Sequence, residues 1–239
     1  MKVVSFKVCP FVQRVTALLE LKNADYDIDY IDLSEKPQWF LDVSPHGQVP
    51  ILILDDGRVL FESEAIVEYI DEAIGAPVSS ADLVQKAQDR AWSYLASKNY
   101  LVQCGAQRSP DKNTLNERCA VLSKAFEKIE KRLGDGPFFT SDSVGMVDIA
   151  WITILHRASI IERYSGFDFI DGFPKIKRWR KALLATGLAE NSVAADFEER
   201  FTAFYLSEAS YLGQQTKERC GSACFGSAEC CLDDMACCA

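Results

Sequence analysis

Apolar positions along the first 75 residues change period several times. Residues 2–8 alternate weakly and predict a short strand ending at Cys9-Pro10. From Pro10 onward Phe11, Val15, Leu18, Leu19 and Leu21 recur at helical spacing. Proline suits that first turn, where an N–H would go unused anyway. Tyr26 to Ile31 alternates again, with Tyr26, Ile28 and Tyr30 on one face and acids between them. After an irregular crossing, Pro50 opens Ile51-Leu52-Ile53-Leu54, a continuous apolar run suited to a buried strand. Asp56-Gly57 marks a hairpin turn, and Val59-Leu60-Phe61 is the returning strand. Ser63 is placed to cap a helix from Glu64 to about Ala73, with Ala65, Ile66, Tyr69 and Ile70 inward. The predicted order is β-α-β, an irregular stretch, then β-β-α.

Turn formers replace periodicity at Gly75-Ala-Pro-Val-Ser-Ser80, which predicts a linker. Beyond it every periodic segment is helical, over about 83–106, 113–133, 146–163, 174–186 and 192–207. The segment from Met146 to Ile161 is apolar around most of its circumference and is expected at the centre of this second unit. From Gly213 the pattern dissolves into Gly, Ser, Ala and Cys. The expected organisation is an α/β domain over 1–76, an all-α domain over 83–212 and a Cys-rich tail over 213–239.

Composition narrows the function classes. The 239 residues are 48% hydrophobic and 26% charged, ordinary for a folded protein with a sizeable core. A net charge of −9 repels phosphate backbones, so neither nucleic acid nor an anionic membrane is expected as a partner. No apolar run approaches the length of a spanning helix, and the start lacks a signal-peptide pattern. Of the nine cysteines, Cys9, Cys104 and Cys119 are scattered through the body and six crowd the last 20 residues. That distribution is no secreted disulfide framework, and a cytoplasmic protein is expected.

Cys9-Pro10-Phe11-Val12 is the sharpest chemical feature. A thiol where a strand meets a helix start faces unpaired N–H groups and the positive end of the helix dipole, which favour a thiolate. Val12 stands where a Cys-x-x-Cys pair would carry its second cysteine, so no local disulfide can close. Such a thiol would form a mixed disulfide with a small thiol and need a second thiol molecule for release. The bland alternative is a small buried apolar residue, as free cysteine often is. Gln48-Val49-Pro50 fits a cis-proline turn whose preceding residue offers backbone groups to an extended peptide. Glu62-Ser63 at the next helix start combines a carboxylate, a hydroxyl and free N–H groups, suited to the two charged ends of an amino acid. Lys36 is available for a second carboxylate. Taken singly, these are equally a turn proline, a helix cap and a solvated lysine.

Together these residues resemble the cysteine-type glutathione S-transferases, most closely the omega class with its lambda and dehydroascorbate-reductase relatives. The resemblance is carried by Lys36-Pro-Gln-Trp-Phe-Leu-Asp-Val-Ser-Pro-His-Gly-Gln-Val-Pro-Ile-Leu52 and Phe61-Glu-Ser-Glu-Ala-Ile-Val-Glu-Tyr-Ile-Asp71, and it covers about residues 2–210. It implies a thioredoxin-like domain with a mixed sheet followed by an all-α domain, and homodimerisation. It also implies glutathione as co-substrate, with a small disulfide or electrophile as acceptor. Position by position, it makes Cys9 the nucleophile, with Phe11 near the sulfur. Val49, beside Pro50, would pair with the cysteinyl part of glutathione. Lys36 would reach its glycyl end, and Glu62 and Ser63 its γ-glutamyl group. A cysteine in place of tyrosine or serine favours thiol transfer, deglutathionylation or dehydroascorbate-type reduction over conjugation. Conjugation is the rival activity within the family. The acidic charge argues against the membrane-inserting relatives of this group.

Two features depart from the family pattern. Gly145 stands at the cap before the central helix of the second domain, where Ser or Thr is usual, although Asp148 is kept. The tail thiols Cys220, Cys224, Cys230, Cys231, Cys237 and Cys238 suit a soft metal or metalloid, but the spacing is not that of a zinc finger. A redox role and a tail with no separable role are the alternatives. His46 is expected in a loop and His156 in the core. The basic run from Lys175 to Lys181 is expected to be a helix's solvated face. Cys104, Cys119, Tyr94, Tyr100 and Trp151 are expected to serve packing.

Overall fold

The computed structural model describes residues 1–216. The tail cysteines, and with them the soft-metal expectation, lie outside the described residues. The first half builds a four-stranded sheet from β1 (Lys2–Ser5), β2 (Asp27–Tyr30), β3 (Ile51–Ile53) and β4 (Val59–Phe61), in the order β2-β1-β3-β4. The β1–β2 pair is parallel, while β1–β3 and β3–β4 are antiparallel, so the sheet is mixed as expected. Parallel pairing needs a crossover, supplied by α1 (Pro10–Leu21). The hairpin closes at Gly57, whose φ of +84° suits glycine, while Asp56 accepts from the Arg58 N–H at 3.0 Å. The first strand is shorter than expected, ending at Ser5, because the chain turns for the Cys9 N–H to reach the Phe6 carbonyl at 3.1 Å.

The crossing between β2 and β3 is not irregular throughout. It holds α2 (Gln38–Val43), six residues that bury only Phe40. One buried anchor is too little for periodicity to register in the sequence. After α3 (Ser63–Ala73) the linker is pinned. Lys22 at the end of α1 donates to the Asp71, Ile74 and Ala76 carbonyls at 2.8–3.0 Å. The Asp71 carboxylate accepts from the Val78 and Ser79 N–H groups.

The helical half comprises α4 (Leu83–Gln107), α5 (Lys112–Arg132), α6 (Met146–Ser165), α7 (Pro174–Leu184), α8 (Leu188–Asn191) and α9 (Phe197–Tyr205). The last predicted helix is therefore shorter than expected, with α9 beginning only at Phe197, and it is preceded by an unpredicted short α8 that follows Gly187 at φ +76°. As expected, α6 is the centre, buried on nearly all sides. It is locked to α4 by the Tyr100 hydroxyl on the Ala150 carbonyl (2.6 Å) and Gln103 on the Ile154 carbonyl (2.9 Å). Gly145 does start it, with Asp148 closing back on the Gly145 N–H at 2.8 Å. The other Asp148 oxygen accepts from the Phe139 N–H (3.0 Å) and the Trp179 indole N–H (2.6 Å). Tyr100 and Trp151 serve packing, as expected. Among the described residues no helix is long and apolar enough to cross a membrane.

Candidate active site

Cys9 is the N-cap of α1, with an extended backbone (φ −72°, ψ 122°) that brings its side chain to the open end of the helix. The thiol is 6% exposed. Burial is the largest influence on it and pushes its pKa up to about 11, against the lowering effect of the Val12 and Phe11 N–H groups and the Arg157 charge. This corrects the thiolate expected from the helix start. The backbone donors are in place, yet desolvation outweighs them, and the resting group at neutral pH is a thiol.

The turn before β3 is held from both sides. Ser44 Oγ accepts from the Gln48 N–H at 3.2 Å and donates to the Gln48 carbonyl at 3.1 Å. Lys36 donates to the carbonyl of Gly47 at 2.8 Å, and Gly47 adopts φ +57°, which favours glycine. The Val49–Pro50 peptide is cis. Among the described residues, no turn or loop hydrogen bond occupies either backbone group of Val49.

At the start of α3 the structure differs from the sequence expectation. Glu62, at φ +66°, is the cap residue, and Ser63 is the first residue of the helix. Because the chain swings through this conformation, the Ser63 hydroxyl caps nothing and rests 3.2 Å from a Glu64 carboxylate oxygen. Burial works against the charge of Glu64, but a bond from Ser97 at 2.5 Å and Arg14 at 3.5 Å outweigh it and hold the carboxyl below its ordinary range.

These elements enclose two adjoining recesses. One, of about 680 Å³, includes Cys9, Phe11, Lys36 and Val49 in its lining. The other, of about 160 Å³, includes Val49, Pro50, Glu62 and Ser63. Phe11, Gln48 and Val49 line both. All seven residues singled out in the first domain thus face one continuous depression. His46 lines the smaller recess from its loop, its ring 5.6 Å from that of Phe61.

Several contributors were not foreseen. Cys104 on α4 lines the larger recess with Cys9 and accepts from the Tyr205 hydroxyl at 3.1 Å, so it does more than pack. Arg108, Arg118 and Phe204 complete that wall. Behind Cys9 lies Arg157, wholly buried, donating to Gln13 Oε1 and, at 3.4 Å, to the Val8 carbonyl. With Oε1 so engaged, Gln13 Nε2 donates to His156 Nδ1 at 2.9 Å. His156 is therefore the satisfied core histidine expected, its pKa pushed by burial down to about 3. The one sequence signal for Arg157 was a charge in the middle of an apolar helix.

Residues 8–73 match the glutathione S-transferase N-terminal domain and residues 113–182 its C-terminal domain. A glutathione S-transferase omega-1 of Sus scrofa is 30% identical over 186 residues, spanning 77% of this chain and 76% of that protein. The chain belongs to the glutathione S-transferase family. A probable glutathione S-transferase DHAR2, chloroplastic, of Oryza sativa subsp. japonica is 31% identical over 178 residues. That match spans 74% of this chain and 62% of the rice protein, so the chain spans about three fifths of that relative's length. Among solved structures, glutathione transferase Omega 3C from Trametes versicolor shares the fold with a TM-score of 0.71 at 22% identity, covering 81% of this chain and 88% of that one. The thioredoxin-like first domain and the helical second domain are those of this glutathione S-transferase family.

Proposed function

We propose that this glutathione S-transferase is a thiol transferase and reductase acting through a mixed disulfide between Cys9 and glutathione. One observation carries it: the Cys9 thiol at a helix start lines a large recess and has Val12, not a second cysteine, three residues on. In the first step the Cys9 thiol gives up its proton to solvent and the resulting thiolate attacks the glutathionyl sulfur of a disulfide R–S–S–G. The R–S bond breaks, R–S⁻ leaves with the electron pair, and Cys9 carries the glutathionyl group. A second glutathione thiolate then attacks that sulfur, releasing oxidised glutathione and regenerating Cys9. A dehydroascorbate-type acceptor brings no glutathionyl group, so there two glutathiones supply the two electrons per acceptor reduced: the first is left as the mixed disulfide on Cys9 and the second releases it as oxidised glutathione. The relatives named for the omega and DHAR groups support this chemistry.

In this proposal glutathione lies along the depression. Glu62 and Ser63 hold the γ-glutamyl end, Val49 beside Pro50 pairs with the cysteinyl backbone, Lys36 meets the glycyl carboxylate and Phe11 borders the sulfur. The acceptor is a small disulfide or electrophile. We further propose a homodimer, favoured by the exposed apolar Tyr69, Leu83 and Val84 at the α3–α4 edge, and a cytosolic location, favoured by the free body cysteines. The test compares wild type with Cys9→Ala and Cys9→Ser for glutathione-dependent reduction of a glutathionylated small thiol. Both substitutions should abolish turnover, and peptide mass spectrometry should locate a glutathionyl adduct on wild-type Cys9. Undiminished turnover in Cys9→Ser would overturn the mixed disulfide at Cys9, and conjugation of an electrophile retained in that variant would favour the rival activity.

A further inference from the structure

The larger recess, which Cys9 lines, has a charge character at odds with the rest of the protein. The chain carries a net charge of −9, yet among the described residues the larger recess is lined by Lys36, Arg108 and Arg118 and by no carboxylate. Lys36 lies on the side of the recess near Gly47. The two arginines stand on the other side, with Cys104 and Phe204. Arg108 stacks its guanidinium 4.8 Å from the centre of the half-exposed Phe204 ring. Arg118 is oriented by bonds to the Gly105 carbonyl at 2.6 Å and the Ser109 hydroxyl at 3.3 Å. Among the described residues neither arginine forms an ion pair. Asp111 is the acid whose field Arg118 feels, but its carboxylate is engaged by the Thr114 N–H and hydroxyl at 2.9 and 2.8 Å.

We infer that the acceptor half of the site selects anionic acceptors: a carboxylate-bearing thiol compound whose charged end meets Arg108 and Arg118 while its sulfur faces Cys9. Two oriented guanidiniums form a planar, multiply donating surface that fits carboxylates. The Phe204 ring holds the Arg108 plane and gives the apolar part of an acceptor something to lie on. A recess lined by one sign of charge also concentrates ligands of the other sign. This inference rests on the thiol-transfer function proposed above and specifies its substrate class.

The test uses the full-length protein and three glutathionyl mixed disulfides, of 3-mercaptopropionate, 2-mercaptoethanol and cysteamine. Their variable ends are anionic, neutral and cationic. For each, kcat/KM is divided by the uncatalysed exchange rate, which removes intrinsic reactivity, and the shared second half-reaction cancels in the ratios. The anionic acceptor should be preferred over the neutral one by about tenfold and the cationic one disfavoured by a similar factor. The spread should collapse in 1 M salt, where the Debye length is about 3 Å. It should reverse in order in Arg108→Glu/Arg118→Glu. The wild-type series and its salt dependence need no variant to fold. Equal ratios across the three acceptors would overturn the anion preference while leaving thiol transfer standing. Absence of turnover with all three would overturn the thiol-transfer function itself, and the preference with it.

Discussion

Arg157, near the middle of α6, donates across the boundary between the two halves to the carbonyl of Val8 at 3.4 Å, one residue before Cys9. The guanidinium is wholly buried and also lies against the Phe197 and Phe201 rings, 5.2 and 5.9 Å from their centres. Its field lowers the Cys9 pKa that burial raises. The all-α domain therefore conditions the Cys9 thiol of its neighbour.

Replacing Arg157 by Met should make Cys9 less acidic. Alkylation of Cys9 by iodoacetamide at pH 8 is expected to slow roughly threefold to tenfold, with its pH profile displaced upward. Arg157→Lys should recover part of the rate. An unchanged profile in the Met variant would leave Arg157 a packing residue only.

Glu62→Gln and Ser63→Ala remove a charge and a hydroxyl from the smaller recess without touching Cys9. Each should raise KM for glutathione by about fivefold to fiftyfold while kcat stays within a few-fold. Steady-state kinetics with varied glutathione decides this. A fall in kcat at constant KM would place these residues elsewhere in the cycle.

Asp148 accepts three hydrogen bonds, from Gly145, Phe139 and Trp179, and joins the α6 start to α7. Asp148→Ala should cost about 3 kcal/mol, because it strands buried donors, and Asp148→Asn should cost less. Urea unfolding followed by tryptophan fluorescence measures both. A loss under 1 kcal/mol for the alanine variant would mean that water replaces the carboxylate.

His156 supplies a pH dependence of known sign. Its pKa falls from 6.5 to about 3 in the fold, so the unfolded chain binds the extra proton. The stability it contributes is present above pH 6.5 and is lost as pH falls. Between pH 7.5 and 5.5 the loss should be about 1.4 kcal/mol. Asp148 acts oppositely, since burial raises its pKa to about 6 and its penalty is relieved as pH falls. The wild type should therefore be compared with His156→Gln over this range. A constant stability difference between the two would refute the buried neutral imidazole.

What could be read along the chain was whatever depends on near neighbours. Period, turn residues and caps located every strand and all the long helices, because a buried stripe must recur at the spacing of its own element. The short helices α2 and α8, of six and four residues, escaped because neither buries enough to show a period. Cys9, the cis-proline turn and Glu62-Ser63 were legible as local motifs, each at the end of an element where backbone groups go unpaired.

Tertiary structure decided the quantities that depend on what lies across a gap. Sequence placed Cys9 at a helix start, where a thiolate is favoured, but desolvation of the thiol inside the fold set the balance the other way. It made Ser63 a cap, whereas the positive φ of Glu62 moved the cap one residue back. It had Cys104 as a packing residue and gave no role to Arg108, Arg118 or Arg157. Those residues are separated from Cys9 by about a hundred positions or more, and their meeting is a property of how helices pack onto the sheet. Desolvation and charge act through space, so only the folded chain determines them.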